Sequence, residues 1–279
     1  MTLAPLDNAD LSKIKLVATD IDGTLTKNQR FTPQLITVLL QLQSANIAVL
    51  LVTGRSAGWV SSLSNYLPVA GAIGENGGCY FSSTTECQLL PNLKIKEISK
   101  HRDQLADRFW QLQGTHTQLK ESTDNRFRLT DWTFDLTQLD ASDLWEIGAQ
   151  CERWGWNFTY STIQGHIKLA TQSKATGIKQ VLKQHFPKLK SHQILTVGDS
   201  PNDASMFDPE MFTQSVGVAN VLHYQEQMEH LPAYITTLPE VGGFGEIVDR
   251  LVATAVAEPD VSNNSRFDQI ASYIERSLS

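Results

Sequence analysis

Two short runs, Ile14 to Thr19 and Ile47 to Val52, are almost continuously apolar, and a single amphipathic segment separates them. A strand without polar alternation is one covered on both faces, as in a parallel sheet flanked by helices. The segment between opens with Thr32-Pro33, an N-cap followed by proline at the first helical position. Leu35, Ile36, Leu39, Leu40 and Leu42 continue it as a helical stripe ending near Asn46. Strand, helix and strand in that order need a crossover, whose hand is almost always right. The expected fold class is therefore α/β, built on a parallel sheet.

Further along, a helix is predicted over 56–67 and a short strand over 69–73, which the glycines of GENGG then break. The pattern changes after that. An amphipathic helix over 92–113 is followed by strand-like stretches at 117–121 and 127–136, a helix over 142–154, and a strand pair over 158–169 turning near Gln164-Gly165. In these strands apolar and polar residues alternate, which implies an antiparallel sheet with one wet face. The first pattern resumes with a helix over 174–186, a strand over 194–197, a helix after Ser200, and short strands at 215–219 and 234–236. The expected organisation is a discontinuous core, 1–81 and 167–256, interrupted by a smaller β-α-β-β-α-β-like α+β domain at 82–166. The tail, 257–279, carries Phe267, Ile270, Ile274 and Leu278 at helical spacing behind a capping-box start, Ser265 to Asp268.

Composition narrows the partners. A formal charge of -7 with no Lys/Arg run argues against nucleic acid or an anionic membrane. No apolar stretch reaches the length of a membrane span, and the first ten residues lack the basic and apolar regions of a secretion signal. Cys79, Cys87 and Cys151, odd in number and without C-x-x-C spacing, are expected to be reduced thiols of a cytoplasmic protein.

In open parallel α/β sheets, ligands bind outside the carboxyl ends of the strands. Four polar clusters fall at such positions or at helix starts: Asp20-Ile-Asp22-Gly-Thr, Thr53-Gly54-Arg55, Lys174, and Gly198-Asp199-Ser-Pro-Asn202-Asp203. Asp20 and Asp22, meeting Asp199 and Asp203 from another strand end, would repel one another strongly without a cation. Hard oxygen ligands with positions left for water suit Mg2+. Lys174 follows a candidate N-cap, Ser173, where the helix dipole disfavours a cation unless an anion lies nearby. Turn chemistry explains Asp-Gly, and helix capping explains Ser-Pro-Asn-Asp, each taken alone. Neither calls for Asp20, Asp199 and Lys174 to occur together.

On these residues the chain resembles the haloacid dehalogenase superfamily of phosphohydrolases. The family's D-x-D-G-T, strand-end Ser/Thr, lysine and G-D-x-x-N-D motifs fall on Asp20 to Thr24, Thr53, Lys174 and Gly198 to Asp203. The resemblance implies a Rossmann-like core with a C2-type cap, its smaller C2b form, and is similar to the sucrose-phosphate and mannosyl-3-phosphoglycerate phosphatase branch. It also implies a Mg2+-dependent phosphatase acting on a sugar phosphate or glycosyl-phosphoglycerate. Asp20 would be the nucleophile that becomes an aspartyl-phosphate, and Asp22 the acid/base. Metal candidates are Asp20, Asp22 through its backbone carbonyl, Asp199 and Asp203. Thr53, Gly54, Arg55 and Asn202 would contact the phosphoryl group or substrate, and Lys174 would stabilise its charge.

Two alternatives stand beside this reading. A phosphomannomutase-like sugar-phosphate mutase shares the motif, although its arginine-rich cap segment is absent here. A non-catalytic metal- or phosphate-binding module shares the acidic cluster and lysine but has no use for a cap of this length. Asp22 argues against dehalogenation, since a halide leaves without a proton. A small-molecule substrate and a monomer or homodimer are expected. In the cap, Arg126, Arg128, His166 and Lys168 are expected either to meet a second anionic group or to form a solvated sheet face. Trp132, Trp145, Trp154 and Trp156 are expected mainly in packing, and Glu75-Asn76 either touches substrate hydroxyls or caps a turn. The family pattern does not include the tail, so truncation ahead of Pro259 is expected to leave turnover unchanged. Loss of all activity in a truncated protein that remains folded by circular dichroism would overturn that expectation.

Overall fold

The structure, a computed structural model, describes residues 3–161 and 163–257, so the stripe from Phe267 to Leu278 lies outside the described residues. In chain order the elements are β1 (Ala4–Pro5), β2 (Leu16–Thr19), α1 (Pro33–Ser44), β3 (Ala48–Val52), α2 (Ala57–Tyr66), β4 (Gly71–Gly74), β5 (Cys79–Ser82) and β6 (Thr85–Leu89). Then come α3 (Ile98–Thr115), β7 (Asp131–Asp135), α4 (Ala141–Arg153), β8 (Trp156–Tyr160) and β9 (Gln164–Leu169). The chain continues with α5 (Lys174–His185), β10 (Ile194–Gly198), β11 (Ser215–Gly217), β12 (Tyr234–Ile235) and α6 (Glu240–Ala257).

A nine-stranded sheet has the order β1-β12-β11-β10-β2-β3-β4-β5-β6. Its pairs are parallel from β1 to β4, as the uninterrupted apolar runs require. Successive residues of the central strands point to opposite faces and enter separate cores. Val17, Val49 and Leu51 pack with Leu35 and Leu39 of α1 and Phe244 and Ile247 of α6. Leu16, Ala18, Leu50 and Val52 pack with Ile178 and Val181 of α5 and with Met206 and Phe207. Each fully buried side chain of this size contributes roughly 1.5–3 kcal/mol. The register aligns Val197 of β10 with Thr19 of β2, and Thr19 with Leu51 of β3. The residues that follow these three strands therefore emerge side by side along one edge.

The large sheet is not wholly parallel. β5 runs antiparallel to β4, and β6 antiparallel to β5, so hydrogen bonding carries this sheet to Leu89, past the boundary expected at 82. The helix expected after Ser200 is a 3-10 helix, Pro201–Phe207.

The second sheet has three antiparallel strands in the order β7-β9-β8, and β9 carries it to Leu169, past 166. The β-α-β-β-α-β expectation fails at its first strand. Residues 117–121 form only an isolated bridge, Glu121 to Phe134, and Thr123–Phe127 is a 3-10 turn. The physical reason is where β7 stops: Ser122 N donates to Thr133 O (3.0 Å) and Asp135 N to Lys120 O (2.9 Å), but residues 117–119 would have to pair beyond Asp135, where the chain turns through Leu139 N to Leu136 O (2.9 Å). Past Ser122, the Asn125 amide takes both backbone groups of Thr133. The reversal expected near Gln164-Gly165 comes earlier, because β8 ends at Tyr160 and β9 starts at Gln164. Leu105, Phe109 and Leu112 of α3 and Ile147 and Cys151 of α4 cover one face, against Phe134 and Ile167.

The opposite face is not wet. Arg128, Asp131, Thr133, His166 and Lys168 are all buried. Arg128 Nη1 donates to Gly54 O in the other sheet's loop (2.9 Å) and to Asp131 Oδ1 (2.9 Å), while Arg128 Nη2 donates to Asp124 (2.9 Å). His166 Nδ1 lies 2.9 Å from Asp131 Oδ2. Lys168 donates to Gln172 O (2.6 Å), and burial pulls its pKa down to about 8. Only Arg126 of the four basic residues considered in the sequence is exposed, its Nε on Thr123 O. The tryptophans pack or lie free: Trp132 under Arg102, Trp154 under Arg108 and Trp156 against His101, with Trp145 exposed on α4. Among the described residues, no helix is long and apolar enough to cross a membrane.

This seam dictates a pH dependence. Burial works against the Asp131 carboxylate, but Arg128 and His166 overcome it and hold its pKa below the ordinary value. Burial pulls the His166 pKa down, with Asp131 only partly opposing. Both groups therefore bind fewer protons folded than unfolded. Their contribution is complete above the unfolded values, about 6.5 for histidine and about 3.9 for aspartate, and is lost as pH falls through the lower folded values. The urea midpoint is expected to fall between pH 7 and pH 5, and His166→Gln is expected to flatten that part of the profile.

Candidate active site

Asp20 follows β2 directly, and its amide donates to Val197 O (2.9 Å), which seats it beside the end of β10. Lys174 is the first residue of α5, whose N-cap Ser173 accepts from Thr176 N (3.1 Å). Its Nζ lies 2.5 Å from Asp20 Oδ1 and 2.6 Å from Asp203 Oδ1, so two carboxylates offset the dipole penalty of a cation in a first helical turn. Burial alone would discharge this lysine; Asp20 and Asp203 reverse that and hold it protonated.

The other oxygens differ in how they are satisfied. Asp203 Oδ2 accepts from Asp199 N (2.8 Å) and Ser200 N (3.1 Å), so both of its oxygens are occupied in organising the loop and the lysine. Asp199 accepts from Thr24 Oγ1 (3.1 Å) and Asn220 Nδ2 (2.7 Å). Asp20 Oδ2 is buried with no partner. Gly23 has φ +85°, and a Cβ there would fall 2.9 Å from Asp199 Cγ, so only glycine admits this approach.

Asp20, Asp199 and Asp203 bring ligand atoms within 4.8 Å of one another around one lysine. Burial pushes the Asp20 carboxyl up to about 8, with Asp203 and Asp22 adding to the rise and Lys174 opposing it. Burial likewise raises Asp199, with Asp20 and Asp203 contributing. A buried acid set in excess of its cation, with one oxygen bare, fits a divalent metal taking hard oxygen ligands.

Asp22 turns away from this group. Its carboxylate takes both arms of Arg55, Nε at 2.8 Å and Nη2 at 2.6 Å, and Arg55 in turn lies 4.9 Å over the Trp59 ring. Thr53 N donates to Ile73 O at the end of β4, and Thr53 Oγ1 accepts from Arg55 N (3.1 Å), turning the loop. Asn202 donates to Asn76 Oδ1 (3.1 Å) and accepts from Ser200 Oγ (2.8 Å). Asp20, Asp22, Thr53, Gly54, Arg55 and Asn202 line one narrow cleft, closed from the second sheet by Ser161, Gln164 and His166.

The structure thus gathers Asp20, Lys174, Asp199 and Asp203 into one buried group and sets the remaining predicted residues around the cleft beside it. Asn220 escaped the sequence reading, although its place just after β11 is the strand-end position that marks Thr53 and Asp199. Thr24 was quoted within the motif without a role. Glu75 does not line the cleft. Its carboxylate accepts from Ala57 N at the start of α2 (2.9 Å), from Leu129 N (2.9 Å) and from Thr130 N (2.6 Å), joining the core to the segment that enters β7. Cys79, Cys87 and Cys151 are all free.

Residues 17–144 match the family of haloacid dehalogenase-like hydrolases. A phosphoglycolate phosphatase of Thermoplasma volcanium is 28% identical over 201 residues, 71% of this chain and 83% of that one. Another, of Methanothrix thermoacetophila, is 28% identical over 251 residues, 87% of this chain and 99% of that one. A crystal structure from Thermoplasma acidophilum superposes with a TM-score of 0.67 at 21% identity, covering 85% of this chain and 98% of its own. The sucrose-phosphatase of Synechocystis, solved with sucrose and phosphate, gives 0.62 at 17% identity over 86% of this chain and 98% of its own. The acid and lysine constellation thus stands on a fold that these solved structures share, within a chain whose residues 17–144 match the haloacid dehalogenase-like hydrolases.

Proposed function

We propose that this phosphatase hydrolyses a small phosphorylated metabolite, a sugar phosphate or glycosyl-phosphoglycerate, through a covalent aspartyl-phosphate on Asp20. The observation that carries the reading is the Asp20 carboxylate itself: one oxygen is held by Lys174, and the other is bare, in a residue that lines the cleft. Asp20 attacks phosphorus as the bond to the leaving oxygen breaks, and Asp22 delivers a proton to that oxygen. Water then attacks the aspartyl-phosphate, Asp22 takes its proton, and the bond to Asp20 breaks to release phosphate. Arg55 covers both oxygens of Asp22, so either proton transfer requires it to withdraw. A phosphoryl group entering beside Thr53 and the Gly54 amide offers it a competing anion.

Asp20 and Asp199, with the backbone carbonyl of Asp22, would hold Mg2+. Bound there, it supplies the positive charge that offsets repulsion between an anionic nucleophile and an anionic phosphate. Asp203, with both oxygens committed, positions Lys174 and the loop amides rather than the metal. The second sheet with its helices acts as the cap that excludes water and reads the leaving group. Its division from the core near 82 and 166 belongs to the same reading, as does a cytoplasmic location, which the three free cysteines support.

Phosphate release from a panel of sugar phosphates, phosphoglycolate and p-nitrophenyl phosphate tests this. Asp20→Asn is expected to lose at least about a thousandfold in kcat, and Asp22→Asn a comparable factor on the poorer leaving groups. Chelation is expected to abolish turnover and added Mg2+ to restore it. Undiminished release by Asp20→Asn would overturn the covalent route.

A further inference from the structure

Within the cleft, His166 is the cap residue whose chemistry the proposed reaction leaves unused. Its ring sits directly over the phosphate-side loop: a Cβ on Gly54 would fall 3.0 Å from His166 Cε1 and 3.1 Å from Nε2. Nδ1 is committed to Asp131 Oδ2 at 2.9 Å, and Asp131 is held charged by Arg128. A carboxylate partner places the proton on Nδ1, which leaves Nε2 as a lone-pair acceptor in the neutral ring. Nε2 makes no hydrogen bond among the described residues, while the residue itself lines the cleft. The same Cβ would fall 3.2 Å from Asn76 Nδ2, buried and also without a partner.

The groups around the cleft define what such an acceptor can meet. Arg55 is the one formal cation among the described residues lining it, and its fork is taken by Asp22 or, once it withdraws, by the phosphoryl group itself. The neighbours Ser161 and Gln164 are neutral and polar. An acceptor in a cleft whose cation is already paired favours a hydroxyl over a second anionic group.

We infer that His166 is a specificity-determining residue, its Nε2 accepting a hydrogen bond from a hydroxyl of the leaving group, with Asp131 as the positioning residue that fixes the ring's tautomer. This rests on the phosphatase reading and narrows it: of the two substrate classes proposed, the cleft favours the sugar phosphate, whose leaving group is polyhydroxylated, over the glycosyl-phosphoglycerate, whose leaving group bears a carboxylate.

The test compares the hexose phosphate that the wild type turns over fastest with p-nitrophenyl phosphate, whose leaving group has no second hydroxyl. His166→Phe is expected to lower kcat/KM for the hexose phosphate about tenfold while changing p-nitrophenyl phosphate less than about twofold. Equal losses on both substrates, or none on either, would overturn the inference, as would preference for phosphoglycolate over every hexose phosphate. If no substrate at all is hydrolysed, the phosphatase reading itself fails. Nitrogen-15 NMR of the imidazole decides the tautomer whatever the activity. A proton on Nδ1 with a bare Nε2 at neutral pH is expected, moving to Nε2 in Asp131→Asn. A proton on Nε2 in the wild type would overturn the assignment.

Discussion

Three buried carboxylates share one lysine, and the order at this edge of the sheet follows from that imbalance. Asp20, Asp199 and Asp203 arrive from two adjacent parallel strands and the turn behind one of them, so the register of β2 against β10 sets their spacing. Lys174 joins two of them, and Thr24 and Asn220 satisfy the third. What remains unneutralised is a concentrated negative charge in a poorly solvated place, costly to fold and ready to take up a cation.

The core of this arrangement was legible in the sequence because it depends on local rules. Apolar runs ending in acids, the Thr32-Pro33 helix start and the Ser173 cap each report a strand end or helix start within a few residues. Placing Asp20, Thr53, Lys174 and Asp199 required only that these ends lie on one side of a parallel sheet. The second sheet was less legible because its polar face is buried by contact between parts of the chain far apart in sequence. Alternation in β7 and β9 signals one polar face, and polarity alone does not distinguish water from a neighbouring sheet. Arg128 meets Gly54, 74 residues away, and no pattern near either announces the other.

Two further features lie beyond what local pattern reports. The alternation at 117–121 led to no ladder because β7 ends at Asp135, so that only Glu121 finds a partner, Phe134. Asp22, paired in the motif with Asp20, faces Arg55 across the cleft instead of joining the acid cluster. Motif spacing fixes where the backbone goes, while the fork of an arginine decides where a carboxylate points.

The contact from Arg128 to the Gly54 carbonyl also joins two events that an enzyme of this design has to coordinate. The same peptide group that turns its carbonyl toward the cap carries, one residue on, the Arg55 amide bound to Thr53. An outward swing of the cap must take Arg128 away from that carbonyl and His166 away from its place over Gly54. On the proposed reading, the loop that would meet the phosphoryl group gives up this contact whenever the cap moves off, so release of product and loss of the clamp would be one event.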